Sequence, residues 1–185
     1  MGLPQTITPL TREDFIAWEN IQPDKHEFVA GEVFAMVGAR RVHVTIAGNC
    51  FVLLKNHLRG GPCRAFMADM KLEVKTADAV FYPDVLVTCH ADDLKAETTM
   101  HHPTVIIEVL SESTAAYDRG DKFASYRQLE SLKEYVLIDP DQRRVEVFRR
   151  MDNGDWLLAA SESGHGLILK SLDFTAGLDA VFEDV

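Results

Sequence analysis

Apolar positions along the chain recur with two different periods. Val44, Ala47, Phe51, Leu54 and Leu58 stand three or four apart, which predicts a long amphipathic helix from about His43 to Arg59, closed by Gly60-Gly61. Thr11 followed by Asp14 marks an earlier helix start, with Phe15 and Trp18 on one face. "HEFVAGEVFAM" reads as two short strands around Ala30-Gly31. "CRAFM" is a short strand, and "MKLEVK" alternates apolar with charged residues, which predicts a wet face carrying Lys71, Glu73 and Lys75. "VFYPDVLVT" and "TVIIEVL" are almost continuously apolar, as central strands covered on both faces are. A helix from about Tyr117 to Ser131 follows. After it come a hairpin of "EYVLID" and "RRVEVFRR" around Pro140-Asp141, a turn at Asn153-Gly154 into "DWLLAA", and a short closing helix in "LDAVFEDV". This order predicts a single α/β or α+β domain over 1–185, built on one mixed sheet.

Composition narrows the function classes. With 185 residues, 46% of them hydrophobic, the chain can bury an ordinary core. No stretch approaches the roughly 18 apolar residues of a membrane span. The amino-terminal segment lacks a basic start followed by an apolar run, and Met1-Gly2 lacks the setting of a lipidation site, so a cytoplasmic protein is expected. Cys50, Cys63 and Cys89 have no metal-site spacing and are expected to be free thiols. The net charge of −10 argues against a broad nucleic-acid-binding surface. Positive residues nevertheless gather in one third of the chain: Arg119, Lys122, Arg127, Lys133, Arg143, Arg144, Arg149 and Arg150. A solvated helix face and two hairpin strands account for most of them, with at most a weak basic surface.

One glutamate conflicts with its setting. Glu108 lies within "TVIIEVL", and an unpaired carboxylate buried there would cost several kcal/mol or give up its charge. Asp84 has a similar setting after Pro83 in the preceding apolar strand. If the two strands are neighbours, the carboxylates stand side by side, an arrangement that a divalent cation such as Mg²⁺ or Mn²⁺ relieves. Lys122 follows in the next helix, one turn from Tyr126, and can carry its ammonium toward them. An internal ion pair between Glu108 and Lys122 is the competing explanation. Asp69 is a weaker candidate from the neighbouring strand. His101-His102 has the wrong spacing for a helical metal pair and is assigned no role. Phe123, Tyr126, Tyr135 and Phe148 read as core.

Pro83-Asp84 followed by Glu108-Val109-Leu110 resembles the PD-(D/E)XK nuclease motif. The longer string "EVLSESTAAYDRGDKFASYRQLESLKEYVLIDP", with "HEFVAGEVFAM" and His43 upstream, resembles the Uma family of restriction endonucleases within that superfamily. The resemblance implies a restriction-endonuclease-like mixed sheet flanked by helices, with added hairpins. It implies that Asp84, Glu108 and the backbone carbonyl of Val109 hold Mg²⁺ or Mn²⁺. Lys122, moved to the helix from the strand position that Leu110 occupies here, would be the catalytic lysine, and Glu27 would complete the metal shell or act through a water. His43 is a candidate on the metal or the substrate side, with a partly exposed histidine at the helix start as the alternative. DNA is the implied substrate, cleaved by a homodimer if both strands are to be cut. The alternative is a catalytically inactive nuclease-fold scaffold or binding protein, which the displaced lysine and the acidic charge favour.

Overall fold

The computed structural model describes residues 4–5, 11–160 and 166–185; Met1-Gly2 lies outside the described residues. After a two-residue strand β1 (Pro4–Gln5), helix α1 (Arg12–Glu19) begins where Thr11 and Asp14 cap each other. Strands β2 (His26–Val29) and β3 (Glu32–Ala35) form the expected hairpin, with positive φ at Ala30 and Gly31 closing its two-residue turn. The amphipathic helix α2 (Arg41–His57) comes next. Six strands follow: β4 (Arg64–Met67), β5 (Lys71–Val74), β6 (Ala79–Phe81), β7 (Val85–Thr88), β8 (Thr99–Met100) and β9 (Pro103–Val109). Helices α3 (Ala115–Arg119) and α4 (Asp121–Tyr126) lead to β10 (Glu134–Asp139), β11 (Arg144–Arg150) and β12 (Trp156–Ala160). The chain closes with β13 (Leu167–Leu169), β14 (Phe174–Ala176) and the short helix α5 (Leu178–Val181).

The α+β class holds, but the strands divide between two large sheets where the sequence predicts one. The first has the order β1-β3-β2-β6-β5-β8 and the second β12-β11-β10-β9-β7-β4, with β13 and β14 as a separate ribbon. Both large sheets are mixed: β8 joins β5, and β10 joins β9, in parallel. "VFYPDVLVT" is therefore two strands, not one. Pro83 lacks a ladder donor, and the chain leaves the first sheet after Phe81 and enters the second at Val85. Asp84 stands at that crossing.

Two apolar layers cover the second sheet. On one face α2 packs Ile46, Cys50 and Leu54 against Val85, Val87, Ile107, Val109 and Ile138. On the other, Leu86, Ile106, Leu110, Tyr135 and Leu137 meet Leu72, Val74 and Phe81 of the first sheet. This double cover explains the continuous apolar runs of β7, β9 and β10.

Three further expectations are corrected. Strand β5 has no wet face, since all four of its residues are buried. Leu72 and Val74 enter the core between the sheets; the Lys71 ammonium sits 5.8 Å from the centre of the Tyr82 ring, and Glu73 accepts from the Arg12 guanidinium of α1. The helix predicted over 117–131 breaks at Gly120 into α3 and α4. Cys63 and Cys89 form a disulfide, because the pairing of Arg64 with Thr88 brings the two residues just outside it face to face; Cys50 alone is a free, buried thiol. Several arginines of the basic third are engaged: Arg119 with Glu146, Arg149 with Glu134, and Arg150 with the Leu129 and Leu132 carbonyls. Among the described residues, no helix is long and apolar enough to cross a membrane.

Candidate active site

Register sets the first pair. Strands β7 and β9 are antiparallel with Val85 opposite Ile107, so one further step brings Asp84 beside Glu108. The pair is cross-braced: Asp84 N–H donates to Glu108 Oε2 at 3.4 Å, and Val109 N–H donates to Asp84 Oδ2 at 2.8 Å. His43 Nε2, in the first turn of α2, lies 2.9 Å from Asp84 Oδ1. Both oxygens of Asp84 are thus oriented by groups from other elements.

Alternation along β2 supplies the next residue. His26 and Phe28 face α1, where Phe28 stacks on Phe15 and His26 bonds Glu19. Glu27 therefore points the other way, into the space between the sheets, and its Oε1 accepts from Tyr82 N–H at 3.3 Å. Lys122 reaches the same space from α4. Its Nζ lies 3.0 Å from Glu108 Oε1, 3.1 Å from Glu27 Oε1 and 3.9 Å from Asp118 Oδ1. The ammonium also sits 5.6 Å from the centre of the Phe81 ring. Tyr126 O–H donates to Glu108 Oε1 at 2.9 Å, and Tyr135 O–H donates to the Asp118 carbonyl at 2.9 Å.

The cluster is buried and acidic. Glu108 is 4% exposed and Lys122 6%; three carboxyl groups (Glu27, Glu108 and Asp118) surround the lysine, and a fourth, Asp84, stands beside Glu108. Burial pushes Glu108 up to about 8 against the opposing pull of the Lys122 charge, with Asp84 and Asp118 adding to the rise. Burial also raises Asp118. For Lys122, burial works to lower the pKa, but Glu108, Glu27 and Asp118 outweigh it and hold the ammonium well above its ordinary range. The lysine stays charged, and the site carries more negative than positive charge.

Asp84, Glu108, Lys122, Glu27 and His43 come together, as does Val109 through its backbone. Asp118 and Tyr126 are additions. Asp118 stands four residues before Lys122, the spacing at which helical side chains meet, and that is the signal that could have found it. Asp69 pairs with Lys25 instead of reaching the cluster. His101 lies 3.1 Å from Glu73, and Asp93 accepts from the backbone N–H groups of His101 and His102, so this pair belongs elsewhere.

The chain has relatives. The profile of the Uma2 family, described as "Putative restriction endonuclease", matches residues 12–180. The chain belongs to the Uma2 family. Curated relatives include uncharacterized protein slr1290 of Synechocystis sp., 34% identical over 173 residues that cover 94% of this chain and 91% of the relative. Uncharacterized protein sll1609 of the same organism is 32% identical over 160 residues, covering 85% of this chain and 90% of the relative. The fold is shared with the crystal structure of a putative nuclease belonging to DUF820 from Anabaena variabilis, at a TM-score of 0.75 and 18% identity. That match covers 94% of this Uma2 chain and 98% of the solved one.

Proposed function

We propose that this Uma2 protein is a metal-dependent endonuclease that hydrolyses DNA phosphodiester bonds, working in the cytoplasm as a homodimer when both strands are cut. The observation that carries this reading is the convergence of Asp84, from the crossing just before β7, and Lys122, from α4, on Glu108 of β9, each within hydrogen-bonding reach of it. Family membership supports it as well.

Among the described residues, no three His, Cys, Asp or Glu side chains gather as a ready-made metal site. The residues present still fit Mg²⁺ or Mn²⁺, because Mg²⁺ keeps several waters and takes one or two carboxylates with substrate phosphate. Asp84 and Glu108 offer hard oxygen donors in a cluster with surplus negative charge, and the Val109 carbonyl is the third donor in this reading. When bound, the cation supplies polarisation of the phosphodiester and a more acidic water.

The chain's own residues do the rest. Val109 N–H and His43 orient Asp84, and Tyr126 O–H fixes the rotamer of Glu108. Lys122 holds a permanent positive charge beside Glu108, where it stabilises negative charge developing on the phosphate. His43, partly exposed at the start of α2, would stand on the substrate side.

The test is nicking of supercoiled plasmid with Mg²⁺ or Mn²⁺, with a chelator as control. Wild type is expected to nick and Glu108→Ala to lose the activity. Equal cleavage by both would indicate a contaminant and refute the assignment. One observation favours the alternative, a catalytically inactive scaffold: Glu108 Oε1 is already engaged by both Lys122 and Tyr126. Absence of heat in a calorimetric Mn²⁺ titration at millimolar concentration would select that reading.

A further inference from the structure

A lysine carried by a short helix needs something to hold it. In the parent motif the lysine shares a strand with the glutamate, so the sheet fixes both. Here Lys122 lies in the six-residue helix α4, separated from α3 by the break at Gly120. A Cβ at Gly120 would lie 3.2 Å from the Ala116 carbonyl oxygen, so the break is a close approach of backbone to backbone. Two carboxylates flank the ammonium beyond that break: Glu27 at 3.1 Å from β2 and Asp118 at 3.9 Å from α3. Both are themselves held. Tyr82 N–H donates to Glu27, and Tyr135 O–H donates to the Asp118 carbonyl.

We infer that Glu27 and Asp118 are positioning residues that clamp Lys122 against Glu108, doing from two other elements what a shared strand does in the parent motif. Their effect on activity rests on the nuclease reading, but the clamp itself does not. The contacts of Glu27 run to Lys122 and to Tyr82 N–H, which places it on the lysine's side of Glu108. Together with Asp84 and Glu108, neither carboxylate makes up a gathered set of three metal-ligating groups among the described residues. The clamp also accounts for two buried acids that neither a surface role nor the apolar core explains, since a buried carboxylate needs a partner.

The experiment has three arms. Calorimetry with Mn²⁺ on Glu27→Gln and Asp118→Asn should show affinity within tenfold of wild type, whereas Asp84→Asn loses binding. A loss for Glu27→Gln as deep as that of Asp84→Asn would make Glu27 a ligand and overturn the clamp. In plasmid nicking, Glu27→Gln should lower kcat with little change in KM. Placed in a Lys122→Met background it should have no further effect, because it acts only through the lysine. Additive losses would overturn the inference. The third arm needs no activity. Thermal melting of the metal-free protein should fall by roughly 6 °C or more in Glu27→Gln, and the same substitution in Lys122→Met should be neutral or stabilising. Equal falls in both backgrounds would remove the clamp. If wild type neither binds Mn²⁺ nor nicks DNA, the nuclease reading fails while this melting cycle still decides the clamp.

Discussion

Replacing Glu108 with glutamine should change how stability depends on pH. In the unfolded chain this carboxyl releases its proton near the ordinary 4.5, whereas the folded protein keeps it up to about 8 because burial disfavours the anion. Between these pH values the folded state binds more protons than the unfolded state, so stability falls as pH rises. The greatest slope is about 1.4 kcal/mol per pH unit, and over the whole interval the loss is about 2–5 kcal/mol. Asp118 is also raised and adds a fall of the same sign just above its own unfolded value. Lys122, raised well above 10.5, contributes a constant term across this window, because its stabilisation is lost only at more alkaline pH. Glu108→Gln keeps the shape of the side chain and removes the titration. Urea unfolding at pH 5 and at pH 7.5, without divalent cations and with a chelator present, measures the difference. Wild type should be more stable at pH 5 by about 2–3 kcal/mol relative to pH 7.5, and the variant should show a much smaller gap. The same gap in both proteins would refute the argument.

Two other outcomes follow from the packing and the disulfide. Leu110→Lys, which restores the lysine of the parent motif to its strand, should destabilise the protein by several kcal/mol and fail to rescue Lys122→Met in plasmid nicking, because Leu110 is 4% exposed within the core between the sheets. Thiol titration in denaturant without reductant should find one thiol per chain and three after reduction, and Cys63→Ser should cost about 2–4 kcal/mol in urea unfolding; three thiols without reductant would contradict the bridge.

Asp84 and Glu108 were legible because a carboxylate inside an apolar strand demands a compensating partner, whatever the fold. Lys122 was legible as a neighbour through its helical spacing, and the catalytic role proposed for it came from the family resemblance. Asp118 and Tyr126 were not read as site residues. Asp118 looks like an exposed helix acid, and only its buried contact with Lys122 shows otherwise; Tyr126 looks like any aromatic of the core. The division into two sheets escaped the hydrophobic pattern for a related reason. A strand covered on both faces has the same apolar run whether a helix or a second sheet supplies the cover. The break at Pro83 was therefore passed over, although it places Asp84 at the crossing. The wet face expected of β5 failed because Arg12 of α1 meets the charge of Glu73 from outside the strand.

Parallel pairing of β9 with β10 has a consequence for the order of assembly. The crossover between these strands contains α3 and α4, so Glu108, already flanked by β7, acquires its second neighbouring strand only after the segment with Asp118 and Lys122 has been laid down. During synthesis Glu27 and Glu108 leave the ribosome before the lysine that meets both of them in the folded protein. Until then these two acids lack the ammonium that faces them in the finished site, which disfavours early closure of the two sheets over them. Arrival of Lys122 removes that obstacle, so the residue held at the centre of the finished site also sets the moment at which the two layers can come together.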